Sequence, residues 1–159
     1  MSAKVSPIPA GYHTLTPYLS IKGAAQALDF YKRAFGAQEI YRMDMPGGMI
    51  GHAEIQIGDS RIMLADEFLE MPDVVIKSPS TLGGSASGVL IYVEDVDARF
   101  KQAVDAGAKV KRPVVDQFYG DRSGTVEDPF GHIWSIATHI EDLTIEEIKQ
   151  RVAAMPGHG

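Results

Sequence analysis

The sequence predicts an α+β fold: two βαβββ modules forming a curved mixed sheet around a concave groove, with helices on the convex face. Three observations carry this. An alternating segment is followed by a segment of helical periodicity and then by three short alternating segments. The same order recurs after an irregular stretch, which makes the pattern an internal duplication. Both helical segments also stop at a Gly-Ala pair, Gly36-Ala37 and Gly107-Ala108.

The first module spans residues 14–66. "TLTPYLSIK" (Thr14–Lys22) alternates as a strand, and "AAQALDFYKRAFGA" places Ala24, Ala27, Leu28, Tyr31 and Phe35 on one helical face. Three strands follow in "QEIYRMDM", "GHAEIQIG" and "RIMLAD". Pro46-Gly47-Gly48 separates the first two, and Gly58-Asp59-Ser60 makes a hairpin between the last two. The second module, residues 88–139, opens with "GVLIYVED", where Asp95 caps the helix "VDARFKQAVDA". "KVKRPVVDQF", "GTVEDP" and "HIWSIATH" supply its remaining strands. Residues 1–13 read as a flexible N-terminal arm, and 67–87, rich in Pro, Ser and Gly, as a connecting loop. Residues 140–159 form a C-terminal helix and tail, with Thr144 and Glu147 in capping-box spacing.

Composition removes several function classes. The net charge is −6, and the Lys and Arg residues are scattered, so neither nucleic acid nor an anionic membrane is an expected partner. There is no Cys, which excludes disulfides, thiolate metal sites and a Cys nucleophile. No apolar run approaches the roughly 20 residues that span a bilayer. "MSAKVSPIPAGYH" lacks the apolar core of a signal peptide, so a cytoplasmic location is expected. No phosphate-binding glycine loop, nucleophile elbow or HExxH helix is present.

The paired architecture, with "LDFYKRAFGA" in the first half and "EDPFGHIW" in the second, resembles the vicinal oxygen chelate superfamily. That superfamily contains glyoxalase I, extradiol dioxygenases, fosfomycin-resistance enzymes and bleomycin-resistance proteins. "AEIQIGDSRIMLADE", "YVEDVDARFKQAVDAGAKV", "DQFYGDRSGTVEDPFGH" and "WSIATHIEDLTIEEIKQR" are similar to its PhnB-like branch, and the resemblance runs from Thr14 to Arg151. It implies a homodimer and a ligand site in the groove. It also implies four metal-ligand positions, two per module, held by His or Glu in the metal enzymes. Here those positions fall on Thr16, Met63, Gly88 and Ser135. None of these side chains makes the His/Glu site that holds Zn, Ni, Fe or Mn. No metal cofactor is therefore expected, and the usual divalent metal is disfavoured.

Strand parity supplies the remaining candidates. With Ser135 facing the groove, Trp134 and Ile136 point to the core, and "GTVEDPFGHIWSIATH" reads mostly as scaffold, with His132 a structural residue beside a turn and His139 solvated at the strand end. In "GHAEIQIG", Ala53, Ile55 and Ile57 face the core, so His52, Glu54 and Gln56 face the groove. His52 and Glu54 suit ligand binding, a displaced metal or acid–base chemistry; the plain alternative is the polar outer face of a sheet. Arg61 shares the parity of Met63. Tyr92 lines the groove by its parity with Gly88, and Phe118, Tyr119 and Arg122 sit in an aromatic, charged loop able to stack on a ligand and pair with an anion, unless these residues serve only packing and turn formation. The expected function is binding or sequestration of a partly aromatic or apolar small molecule without the usual metal. The alternative is an enzyme, a glyoxalase-like lyase or isomerase with a displaced metal at His52 and Glu54, or a metal-free catalyst using them as an acid–base pair.

Overall fold

The computed structural model describes residues 5–156, and the chain divides into two compact units between Ser85 and Ala86. The first unit contains β1 (Tyr18–Ile21), α1 (Ala24–Phe35), β2 (Gln38–Met45), β3 (Met49–Ile57), β4 (Ser60–Asp66) and the short α2 (Pro79–Leu82). The second contains β5 (Gly88–Tyr92), α3 (Val96–Ala106), β6 (Lys109–Asp116), β7 (Asp121–Glu127), β8 (Ile133–His139) and α4 (Ile145–Ala153). Each unit carries one four-stranded mixed sheet, in the orders β1-β4-β3-β2 and β5-β8-β7-β6. The first and fourth strands of each unit are parallel and the other pairs antiparallel. The α+β class and the duplication are thus present as expected. Among the described residues, no helix is long and apolar enough to cross a membrane.

Helix α1 buries Ala24, Ala27, Leu28, Tyr31 and Phe35, the face its periodicity specifies, together with Phe30 and Ala34. It packs on the β3 and β4 residues Ala53, Ile55, Ile62 and Leu64, each at most 4% exposed. The helix has no cap of its own, because Gly23 stands at its N-cap. Asp66, at the end of β4, caps it instead. One of its carboxylate oxygens accepts the backbone N–H groups of Gly23 and Ala24, each at 2.9 Å. The other accepts Ile50 N–H at 2.7 Å. One carboxylate therefore ties helix α1, strand β3 and strand β4 together.

In the second unit Asp95 caps α3 by accepting Ala98 N–H at 3.0 Å, and Thr144 with Glu147 forms the anticipated capping box on α4. Trp134, Ile136 and Val126 are fully buried on the helix-bearing face. A side chain at Gly124 would collide with Phe100 of α3, so the close approach of helix and sheet requires glycine there. Asp128 organises the turn after β7. One oxygen accepts Phe130 and His132 N–H and the other the Trp134 indole N–H, all at 2.9 Å.

Three local departures from the sequence pattern have physical causes. Strand β1 begins at Tyr18, not Thr14, because Pro17 has no N–H to give; only its carbonyl joins the ladder, accepting Met63 N–H at 3.0 Å. Strand β7 begins at Asp121, so Asp121, Arg122 and Ser123 are strand residues, with Gln117–Gly120 as the turn before them. The connector is held at both ends. Glu67 accepts Ser78 N–H and Oγ–H at 2.9 Å and Thr81 Oγ–H at 2.6 Å, pinning the chain eleven residues on. Burial alone would raise the Glu67 pKa, but the Thr81 hydroxyl and the Ser78 donors outweigh it and hold it below the ordinary carboxylate value.

Candidate functional site

The face of the first sheet opposite α1 is built by cross-strand register. Glu54 stands between Tyr41 of β2 and Met63 of β4, and Met63 in turn pairs with Tyr18 of β1. His52 pairs with Met43, and Gln56 with Arg61. His52, Glu54, Gln56 and Arg61, all expected on one face, lie together on it. Three tyrosines join them: Tyr12, Tyr18 and Tyr41.

His52 is the centre of this cluster. Its Nδ1 lies 3.0 Å from the Tyr18 hydroxyl and its Nε2 3.3 Å from Glu54 Oε1. The rings of Tyr18 and Tyr41 flank it, with centroids 5.7 and 6.3 Å away. Glu54 has its pKa lowered, chiefly by the Tyr12 hydroxyl and then by His52 and Arg61, which overcome partial burial. As a carboxylate it can only accept, so Nε2 is the His52 nitrogen that donates to it, and Nδ1 pairs with the Tyr18 hydroxyl. The polar chain thus runs from the Tyr18 hydroxyl to His52 and from His52 N–H to Glu54.

Tyr12 reaches this face from the segment before β1. Pro9–Tyr12 forms a turn closed by Tyr12 N–H to Pro9 C=O at 3.1 Å. The Arg61 guanidinium lies 4.8 Å from the Tyr12 ring centroid, a cation–π geometry. Gly11 has φ 82°, so the turn needs glycine for conformation, and a Cβ there would also displace the movable end of Arg61. The Tyr12 hydroxyl is buried facing the Glu54 carboxylate and Arg61, outside strict hydrogen-bond geometry to either. Burial, and then its interaction with Glu54, raise its pKa against the opposing effect of Arg61. Arg61 also reaches Gln56 Oε1, at 3.5 Å.

The candidates of the second unit have other settings. Tyr92 lies on the face away from α3 and donates its hydroxyl to Asp121 Oδ2 at 2.9 Å. Ser135 is on the same face, 3.3 Å from Thr125 Oγ1. Phe118 and Tyr119 stack edge to face in the turn before β7, with centroids 5.2 Å apart. Arg122, expected to meet an anionic ligand, is on the α3 side. Its guanidinium is taken by Asp97 at 2.8 Å and Asp116 at 2.9 Å, which leaves it committed to the protein's own carboxylates.

His139, exposed at the end of β8 as expected, is also held between Asp121 and Asp142, at 2.8 and 2.9 Å from its two ring nitrogens. Both nitrogens then donate, which is the imidazolium form, and Asp121 followed by Asp142 raises its pKa. A group whose folded-state pKa is raised stabilises fully below its unfolded value of about 6.5 and loses that contribution as pH rises through the folded value. Wild-type stability against urea is therefore expected to fall as pH rises above about 6.5, and His139→Gln to flatten that dependence. An unchanged slope in His139→Gln would remove His139 as the cause.

The metal positions also have definite settings. Met63 lies between Tyr18 and Glu54, Ser135 between Leu90 and Thr125, and Gly88 beside Ile133, while Thr16 precedes β1. Among the described residues, no group of three or more His, Cys, Asp or Glu side chains is placed to hold a metal ion. His52 and Glu54 are only two donors, and each is spent on the other. The residues do not fit a bound divalent metal.

A model of the Glyoxalase/Bleomycin resistance protein/Dioxygenase superfamily matches residues 13–136. The chain belongs to this superfamily. An uncharacterized protein of Mycobacterium bovis is 40% identical over 145 residues, covering 91% of this chain and 93% of the relative. A gene product of Arabidopsis thaliana superposes with a TM-score of 0.63 at 28% identity, over 79% of this chain and 98% of its own. A PhnB protein of Bacillus cereus shares the fold, with a TM-score of 0.59 at 18% identity over 79% of this chain and 99% of its own. Superfamily membership explains the two similar sheets. Tyr18 and Tyr41 reach His52 only through cross-strand register, and Tyr12 reaches Glu54 and Arg61 through the turn at Gly11, so none of the three has a signal in the sequence.

Proposed function

We propose that this protein binds a small, partly aromatic or apolar organic molecule on the open face of its first sheet, without a metal ion. The observation that supports the reading is the Tyr18–His52–Glu54 hydrogen-bonded chain, bordered by Arg61, Tyr12 and Tyr41 on the face of the first sheet away from α1. The tyrosine rings offer stacking surfaces. His52 and Tyr18 offer one donor–acceptor pair that a polar substituent of the ligand can enter. Arg61, held by Tyr12 and Gln56, supplies a positive charge within an otherwise acidic protein. The net charge of −6 favours a neutral or cationic ligand at long range, an effect screened at physiological salt.

A fragment screen by ligand-observed NMR, repeated on His52→Ala and Tyr18→Phe, tests this reading. Hits are expected to lose about tenfold in affinity in His52→Ala, the scale of one hydrogen bond to a charged or polar partner. Hits that bind both variants as they bind wild type would contradict it.

The same chain supports a second reading, metal-free acid–base catalysis, because a His bonded to a carboxylate and a phenol is arranged to pass a proton. Its signature is a bell-shaped pH–rate profile that disappears in His52→Ala.

A further inference from the structure

Behind Tyr18, on the same face of the first sheet, lies a cavity of about 190 Å³. Tyr18, Ser20, Ala65 and Asp66 form its floor, and Phe68, Met71, Val74 and Ile76 belong to the opposite wall. That wall is the chain from Phe68 to Ile76, a loop whose two ends Glu67 clamps through Ser78 and Thr81. The loop is apolar although much of it faces solvent: Met71 is 60%, Ile76 53% and Val75 91% exposed. An apolar loop fastened beside a sheet, with a half-open cavity between, offers more hydrophobic surface than its own packing uses.

We infer that this cavity is a binding site for a compact, uncharged aromatic or branched apolar group. Its size exceeds the roughly 150 Å³ of an engineered cavity known to take benzene. Two of its polar side chains are engaged: Asp66 holds three backbone N–H groups, and Ser20 is not free. The lining is otherwise mainly apolar, and the carboxylates of Asp66 and exposed Asp73 oppose an anion. Tyr18 is shared between this cavity and the polar chain, with its ring on the cavity side and its hydroxyl on His52. A phenol-like molecule matches that arrangement, its ring in the cavity and its hydroxyl at the Tyr18–His52 bond. Only this polar half rests on the function proposed above.

Toluene, p-cresol and p-toluate are the probes, titrated into full-length protein carrying 13C-labelled methionine and isoleucine methyl groups. Toluene and p-cresol are expected to shift the Met71 and Ile76 methyl signals saturably, and p-toluate to leave them in place. Ala65→Leu, which fills the floor, is expected to weaken toluene binding at least about tenfold. Val74→Trp fills the same space from the loop and serves if Ala65→Leu does not fold. In His52→Ala, toluene is expected to bind as before while p-cresol falls to the toluene level. No saturable toluene shift in wild type, or equal binding in both filled variants, would overturn the cavity assignment. His52-dependent fragment hits alongside such a result would leave the proposed function standing. p-Cresol binding unchanged in His52→Ala would overturn the polar half alone.

Discussion

Asp66→Ala is expected to destabilise the protein by about 3–5 kcal/mol, among the largest effects of any single side chain here. The carboxylate is 8% exposed and accepts three backbone N–H groups from three separate residues. Its removal leaves those donors without partners, at about 1–3 kcal/mol for each that stays buried. The Gly23 and Ala24 groups regain some water at the helix end, which keeps the total below the simple sum. Helix α1 has no replacement cap, because Gly23 lacks a side chain. Urea denaturation measures the loss, with exposed Asp59→Ala as the control, expected within about 0.5 kcal/mol of wild type. A loss below about 1 kcal/mol in Asp66→Ala would contradict the capping role.

Asp128→Ala is expected to cost about 2–4 kcal/mol, by the same loss of buried donors' partners. Asp128 is 3% exposed and receives two backbone N–H groups and the indole N–H of Trp134. Trp134 is the only tryptophan, so its fluorescence reports this change directly. A shifted emission maximum in the folded variant, with reduced stability, is the expected pair of results. Added zinc is expected to change neither. Full stability with an unchanged spectrum would contradict the assignment of Asp128 to the scaffold.

The "EDPFGHIW" stretch shows how far local pattern reaches. Alternation puts Trp134 and Ile136 in the core and Ser135 on the other face, and the structure has them there. The same period-two rule puts His52, Glu54, Gln56 and Arg61 together, because parity within a hairpin is a local property. Tyr18 and Tyr12 are not legible, since their contact with His52, Glu54 and Arg61 depends on a parallel strand pair and on a turn through Gly11. In the sequence Asp66 is only an acidic residue at the end of a strand, beside Glu67, and adjacent strand residues point to opposite faces. Its role depends on the N-terminus of a helix more than forty residues earlier, which no local pattern announces. Arg122 reads as a loop residue because Asp121–Ser123 carries too little alternating apolar character to mark a strand. The connector reads as irregular because its order comes from Glu67, whose partners Ser78 and Thr81 lie eleven and fourteen residues further along it.

We propose above that the face of the first sheet away from α1 holds a small molecule without a metal. Elemental analysis tests it most directly, on protein purified without chelator or affinity tag and again after incubation with Zn, Ni, Mn and Fe(II). Metal far below one equivalent per chain is expected in every case. One equivalent, lost in His52→Ala or Glu54→Ala, would contradict the claim and make that pair the core of a relocated metal site.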